Sequence, residues 1–99
     1  MVLVIDRRCY GVWLGDQQLP VTPKEFELLA ALVDAEGKLV TNDRLADALW
    51  DTAPARVERC LQVHVATLRK KLDGVSTIVN QRNLGYRIVL SDDVTLVLP

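Results

Sequence analysis

The sequence predicts an α+β domain with an N-terminal antiparallel sheet, three helices and a C-terminal β-hairpin. Three observations predict it. Short β-branched runs separated by turn residues occupy the first 21 positions. Apolar residues then recur at helical spacing in three stretches between Thr22 and Leu72. Two extended runs finally flank a tight turn around Asn83 and Leu84. Ninety-nine residues, 49% apolar and 25% charged, suffice for one core but not two. Residues 1–99 are therefore expected to form a single domain, with its body at 3–90 and an extension at 91–99.

Val2–Ile5 and Gly11–Leu14 read as strands, and Gly15-Asp16 is a turn before Gln17–Val21. Thr22 starts the first helix: its hydroxyl caps, Pro23 takes the first helical position, and Glu25 reaches back to complete a capping box. Phe26, Leu29, Ala30 and Val33 form the apolar stripe, Leu28 and Leu32 widen it, and Gly37 supplies the stop. This helix is expected to be framework without chemistry. Lys38–Val40 is a short extended link, and Thr41 caps a second helix through Leu45, Ala46, Leu49 and Trp50. Asp51–Ala55 reads as a loop, and residues 56–72 as the longest helix. At roughly 100° per residue, Val57, Leu61, Val65, Leu68 and Leu72 share one arc, the core face, with His64 at its edge. Thr77–Arg82 and Gly85–Leu90 form a hairpin with Arg82 at its tip, and Val94–Leu98 has the composition of one more strand. Helix, loop, helix and hairpin in this order make a winged helix-turn-helix, with an inter-helix connection longer than usual.

The net charge of −1 conceals a strong asymmetry. Residues 1–55 carry five Lys/Arg against nine Asp/Glu, whereas residues 56–90 carry seven against two, a local charge of +5. Such a map suits a polyanion-binding surface on an acidic domain. Opposite the core arc of the third helix lie Arg59, Gln62, Val63, Ala66, Arg69 and Lys70, with Arg56 and Thr67 on the flank. A valine among outward cations suits a DNA major groove, where small apolar groups meet thymine methyls and cations reach phosphates and guanine edges. Arg82 beside that helix is placed for the adjoining minor groove, whose narrow A·T-rich stretches attract guanidinium groups.

Other classes fit poorly. No apolar run approaches the roughly 20 residues that span a bilayer, and MVLVI is too short for a signal-peptide core. Cys9 and Cys60 lack paired spacing and read as reduced thiols of a cytoplasmic protein. The chain holds a single histidine and no glycine-rich phosphate loop, so neither an enzyme nor a cofactor is expected. Cys60 and His64 stand i, i+4, but two ligands do not make a metal site.

TPKEFELLAAL (22–32), the Leu45–Trp50 helix, VHVATLRKKL (63–72) and RNLGYRI (82–88) resemble the OmpR/PhoB-type winged-helix effector domain of bacterial two-component response regulators. The similarity covers nearly all of residues 3–90 with the motifs in order. It implies sequence-specific binding of double-stranded promoter DNA for transcription regulation, with helix 56–72 in the major groove and wing 82–85 in the minor groove. Carried over by position, Arg59 and Arg69 would contact phosphates, Val63 and Thr67 would face bases, and Arg82 would enter the minor groove, with Lys70 standing in for the guanine-reading arginine that many such domains carry at Thr67. Trp50 and Tyr86 would support backbone contacts. The resemblance further implies a second copy on tandem sites, and RNA polymerase as a partner through the loop 51–55. Many such domains carry arginine where Thr67 stands, a polar or basic residue at Ala66, threonine at Asn80 and a less apolar residue at Leu84. These departures, with the acidic balance, motivate a competing expectation: a winged-helix protein-interaction module that has lost specific DNA binding. The phosphorelay of such regulators acts through a receiver domain, and these 99 residues contain none, so no phosphorylatable aspartate is assigned.

Overall fold

The computed structural model describes residues 1–50 and 54–99, and for residues 54–58 the backbone alone. Val57, assigned above to the core arc, therefore lies outside the described side chains, as do Arg56 and most of the loop 51–55. The chain runs β1 (Val2–Asp6), β2 (Gly11–Leu14), β3 (Gln17–Leu19), α1 (Pro23–Asp34), β4 (Val40–Thr41), α2 (Asn42–Trp50), α3 (Pro54–Lys71), β5 (Ser76–Gln81), β6 (Gly85–Leu90) and β7 (Thr95–Val97). The expected order of sheet, three helices and hairpin is what forms. The third helix begins two residues early: Pro54 and Ala55, expected in the loop, are helical. Proline has no N–H to leave unpaired and its φ suits the first turn of a helix.

Two small sheets bracket the helices. One has the order β3-β2-β1-β7, the other β4-β6-β5. The capping box of α1 is present in full, with Thr22 Oγ1 accepting from the Glu25 N–H and the Glu25 carboxylate accepting from the Thr22 N–H. Thr41 Oγ1 likewise accepts from the N–H of Arg44 at the start of α2. Leu28, Leu29 and Leu32 of α1, Leu45 of α2, Leu61, Val65 and Leu68 of α3, and Leu72 just past its end meet in the core with Leu3, Ile5 and Ile88. The single-arc reading of α3 thus holds for every described member of the arc.

Beyond the hairpin, residues 91–99 turn back along the edge of the N-terminal sheet. The Ser91 N–H donates to the Val75 carbonyl and the Thr95 N–H to the Met1 carbonyl, and β7 then lies parallel to β1 with Leu3 opposite Leu96. The tail therefore fastens the wing sheet to the N-terminal sheet. The link at 38–40 also does more than expected, since Val40 and Thr41 pair with Tyr86 and Gly85 of β6. Gly85 permits this approach, because a Cβ there would collide with the Val40 carbonyl.

Candidate nucleic-acid interface

Because Leu61, Val65, Leu68 and Leu72 fix the rotation of α3, its opposite side must face outward. Arg59, Gln62, Val63, Ala66, Arg69 and Lys70 are all exposed, and Val63 is 58% exposed. Thr67 is half-buried on the flank, and its hydroxyl donates to the Val63 carbonyl at 3.1 Å. Its methyl group and oxygen lone pairs remain for contact with another molecule.

The wing stands beside this helix. Gln81 and Gly85 close the hairpin, the Leu84 N–H donates to the Gln81 carbonyl at 2.9 Å, and Asn83 takes a positive φ of 65°. Asparagine tolerates that conformation better than most side chains, which explains its place at the turn. Arg82 and Leu84 are both exposed at the tip, Leu84 at 54%. From below, the Leu84 carbonyl accepts from the N–H of Asn42 at 2.8 Å, which ties the tip to the first residue of α2.

Other expected residues take different places. Tyr86 is 4% exposed and belongs to the core, so support from beneath the wing is the part its position allows. Trp50, half-buried at the end of α2, stacks on His64 of α3 with ring centroids 5.7 Å apart and planes 13° apart. The Lys24 ammonium of α1 lies 5.6 Å from the centroid of the Trp50 ring and also donates to the Leu49 carbonyl. This role of Lys24 had no sequence signal, because Leu49 and Trp50 lie about 25 residues away on a different helix. Arg69 turns its guanidinium to the protein: Nε and Nη2 donate to the Ile78 carbonyl at 3.1 and 2.8 Å.

Lys71 is also directed inward. Its ammonium pairs with the Glu25 carboxylate at 2.7 Å, joining the end of α3 to the start of α1. Burial alone would push the Glu25 carboxyl up, since that side chain is 5% exposed. The hydrogen bonds from Lys71 and the Thr22 N–H, with the charges of Lys71 and His64, outweigh burial and hold it below the ordinary 4.5. The positive stretch thus divides into outward and structural cations. Among the described residues, no three His, Cys, Asp or Glu side chains come together to hold a metal ion, and His64 is engaged with Trp50. No described helix is long and apolar enough to cross a membrane.

A helix-turn-helix whose third helix presents a basic, partly apolar face next to a β-hairpin defines the chain as a winged-helix domain. It belongs to the family described as "Transcriptional regulatory protein, C terminal", whose model matches residues 16–88. Among curated relatives, the alkaline phosphatase synthesis transcriptional regulatory protein PhoP of Bacillus subtilis is 36% identical over 83 residues, 80% of this chain and 35% of that protein. The transcriptional regulatory protein TcrA of Mycobacterium tuberculosis is 33% identical over 89 residues, 87% of this chain and 35% of that protein. The chain thus spans about a third of the length of these relatives. Among solved structures, the Klebsiella pneumoniae RstA DNA-binding domain in complex with the RstA box superposes with a TM-score of 0.74. It is 27% identical and covers 86% of this chain and 88% of that one. The DNA-binding domain of the response regulator AdeR, in complex with an intercistronic region, gives a TM-score of 0.73 at 27% identity, covering 90% of this chain and 94% of that one.

Proposed function

We propose that this domain binds double-stranded promoter DNA sequence-specifically and regulates transcription, as the output module of a response regulator working in the bacterial cytoplasm. One observation carries the reading: Val63 is exposed among outward cations on α3, beside a hairpin with exposed Arg82 at its tip. An α-helix of this kind fills a major groove, while a guanidinium one step away suits a narrow minor groove. The resemblance of the whole fold to domains solved with DNA supports it. In this arrangement Arg59 meets a phosphate, Lys70 meets a phosphate or a guanine edge, Val63 and Thr67 face bases, and Arg82 lies in the minor groove. Trp50 braces α3 through His64, and Tyr86 supports the wing from beneath. A second copy on an adjacent site, and RNA polymerase through residues 51–55, are the protein partners this reading adds.

The charge count sets the test. Arg59, Lys70 and Arg82 are exposed, Arg87 is half-buried and Arg56 precedes them on α3. Neutralising three or four phosphates gives a slope of log K against log salt between about −3 and −4. Titration of a duplex selected from a random pool should show that slope, and absence of binding at low salt would remove the proposal. The exposure of Leu84 and Val63 favours a second reading, a surface for a protein partner. In that case a gel shift against random duplexes stays blank while sedimentation reveals self-association.

A further inference from the structure

The expected phosphate-binding set treats the arginines of α3 alike, but the geometry separates them. β5 is the edge strand of its sheet, with β6 on one side and, among the described residues, no strand on the other. Carbonyls on its free edge therefore lack a ladder partner. Arg69 supplies one, placing two N–H groups of its guanidinium on the Ile78 carbonyl. A charge-assisted, two-pronged bond of this kind fixes direction as well as distance. The inner strand β6 is held separately, through Val40, Thr41 and the Asn42 bond to the Leu84 carbonyl. Each strand of the wing is thus pinned to a different helix: β6 to the start of α2, and β5 to α3 itself.

We propose that Arg69 is a positioning residue that sets the angle between the recognition helix and the wing, and so couples major-groove to minor-groove engagement. The inference rests on the DNA-binding reading above and adds to it a mechanical link between the two contacts. Arg82 lies four residues beyond Ile78 on the same strand and turn. At about 3.3 Å per residue the tip is roughly 13 Å from the anchor, so a tilt of about 10° there displaces Arg82 by about 2 Å. A guanidinium moved that far no longer fits a narrow groove. Arg69 acts through Arg82, not through a phosphate of its own.

The test compares the selected duplex with one carrying G·C pairs under the wing, across salt, for wild type and four variants. Wild type should prefer the A·T form by roughly five- to tenfold, the low end of the cost of one lost base-pair contact, and Arg82→Ala should lose that preference. Arg69→Gln should reduce it to within about twofold, and adding Arg69→Gln to Arg82→Ala should cost nothing further in affinity or salt slope. A further severalfold loss in the double variant, with the slope shallower by about 0.9, would place Arg69 on a phosphate and overturn the inference. Arg69→Lys keeps the charge but not the fork, so it serves if Arg69→Gln does not fold. An undiminished A·T preference in Arg69→Lys also counts against the inference. Wild type that binds no duplex removes the functional reading itself, a result separate from all of these.

Discussion

Lys70 and Lys71 are adjacent in the chain and have opposite fates. Lys70 is exposed on the outer face of α3, while Lys71, one step around the helix, reaches Glu25 at the start of α1. Arg59 and Arg69 differ in a related way on that helix: both are exposed, but the Arg69 guanidinium is committed to the Ile78 carbonyl. A run of positive residues is therefore not one surface. Helical rotation assigns some cations to solvent and others to the joints between elements, and only the first kind can meet a polyanion without loss of structure.

The largest effect should come from breaking a joint. Glu25→Ala removes half of the capping box and strands the Lys71 ammonium beside α1. The cap is worth about 1 kcal/mol and an unsatisfied charged group at least as much, so roughly 2 kcal/mol of stability should be lost. Urea denaturation measures it, and DNA affinity of the folded protein should stay within about twofold. A large loss of affinity at unchanged stability would erase the proposed division.

What the sequence made legible was local. The caps at Thr22 and Thr41, the core arc of α3 and the turn at Asn83 depend on residues within a few positions, so spacing alone exposed them. The outward face of α3 followed by elimination once that arc was known. The joints were not legible, because Lys71 finds Glu25 across 46 residues and Arg69 finds a backbone carbonyl nine residues on. Nothing in side-chain identity marks Ile78 as an acceptor, since the acceptor is its main chain at a sheet edge. The same holds for β7. Its β-branched composition suggested a strand, but its parallel register on β1 is a fact of tertiary packing.

An outward cation should behave in the reverse manner. Arg59→Ala is expected to leave stability within about 0.5 kcal/mol of wild type, as surface changes do. It should weaken binding to every duplex alike and make the salt slope shallower by about 0.9, the share of one phosphate contact. If Arg59→Ala instead lowers the urea midpoint as Glu25→Ala does, the guanidinium belongs to a joint and the face is smaller than proposed.

The smallest effect, and the most specific to the joint, is its dependence on acid. The Glu25 carboxyl is held below 4.5 in the folded protein by Lys71, the Thr22 N–H and nearby positive charge acting against burial. A carboxyl with a depressed folded-state value contributes stability that is fully present above its unfolded value and drains away as pH falls through the folded one. The stability difference between wild type and Glu25→Gln should therefore be constant from neutral pH down to about 5 and shrink progressively below 4.5. Urea titrations of both proteins at stepped pH read this difference directly, since the remaining carboxylates cancel between them. A difference that grows on acidification would mean that burial, not Lys71, governs the group, and the link between α1 and α3 would then be a contact without electrostatic content.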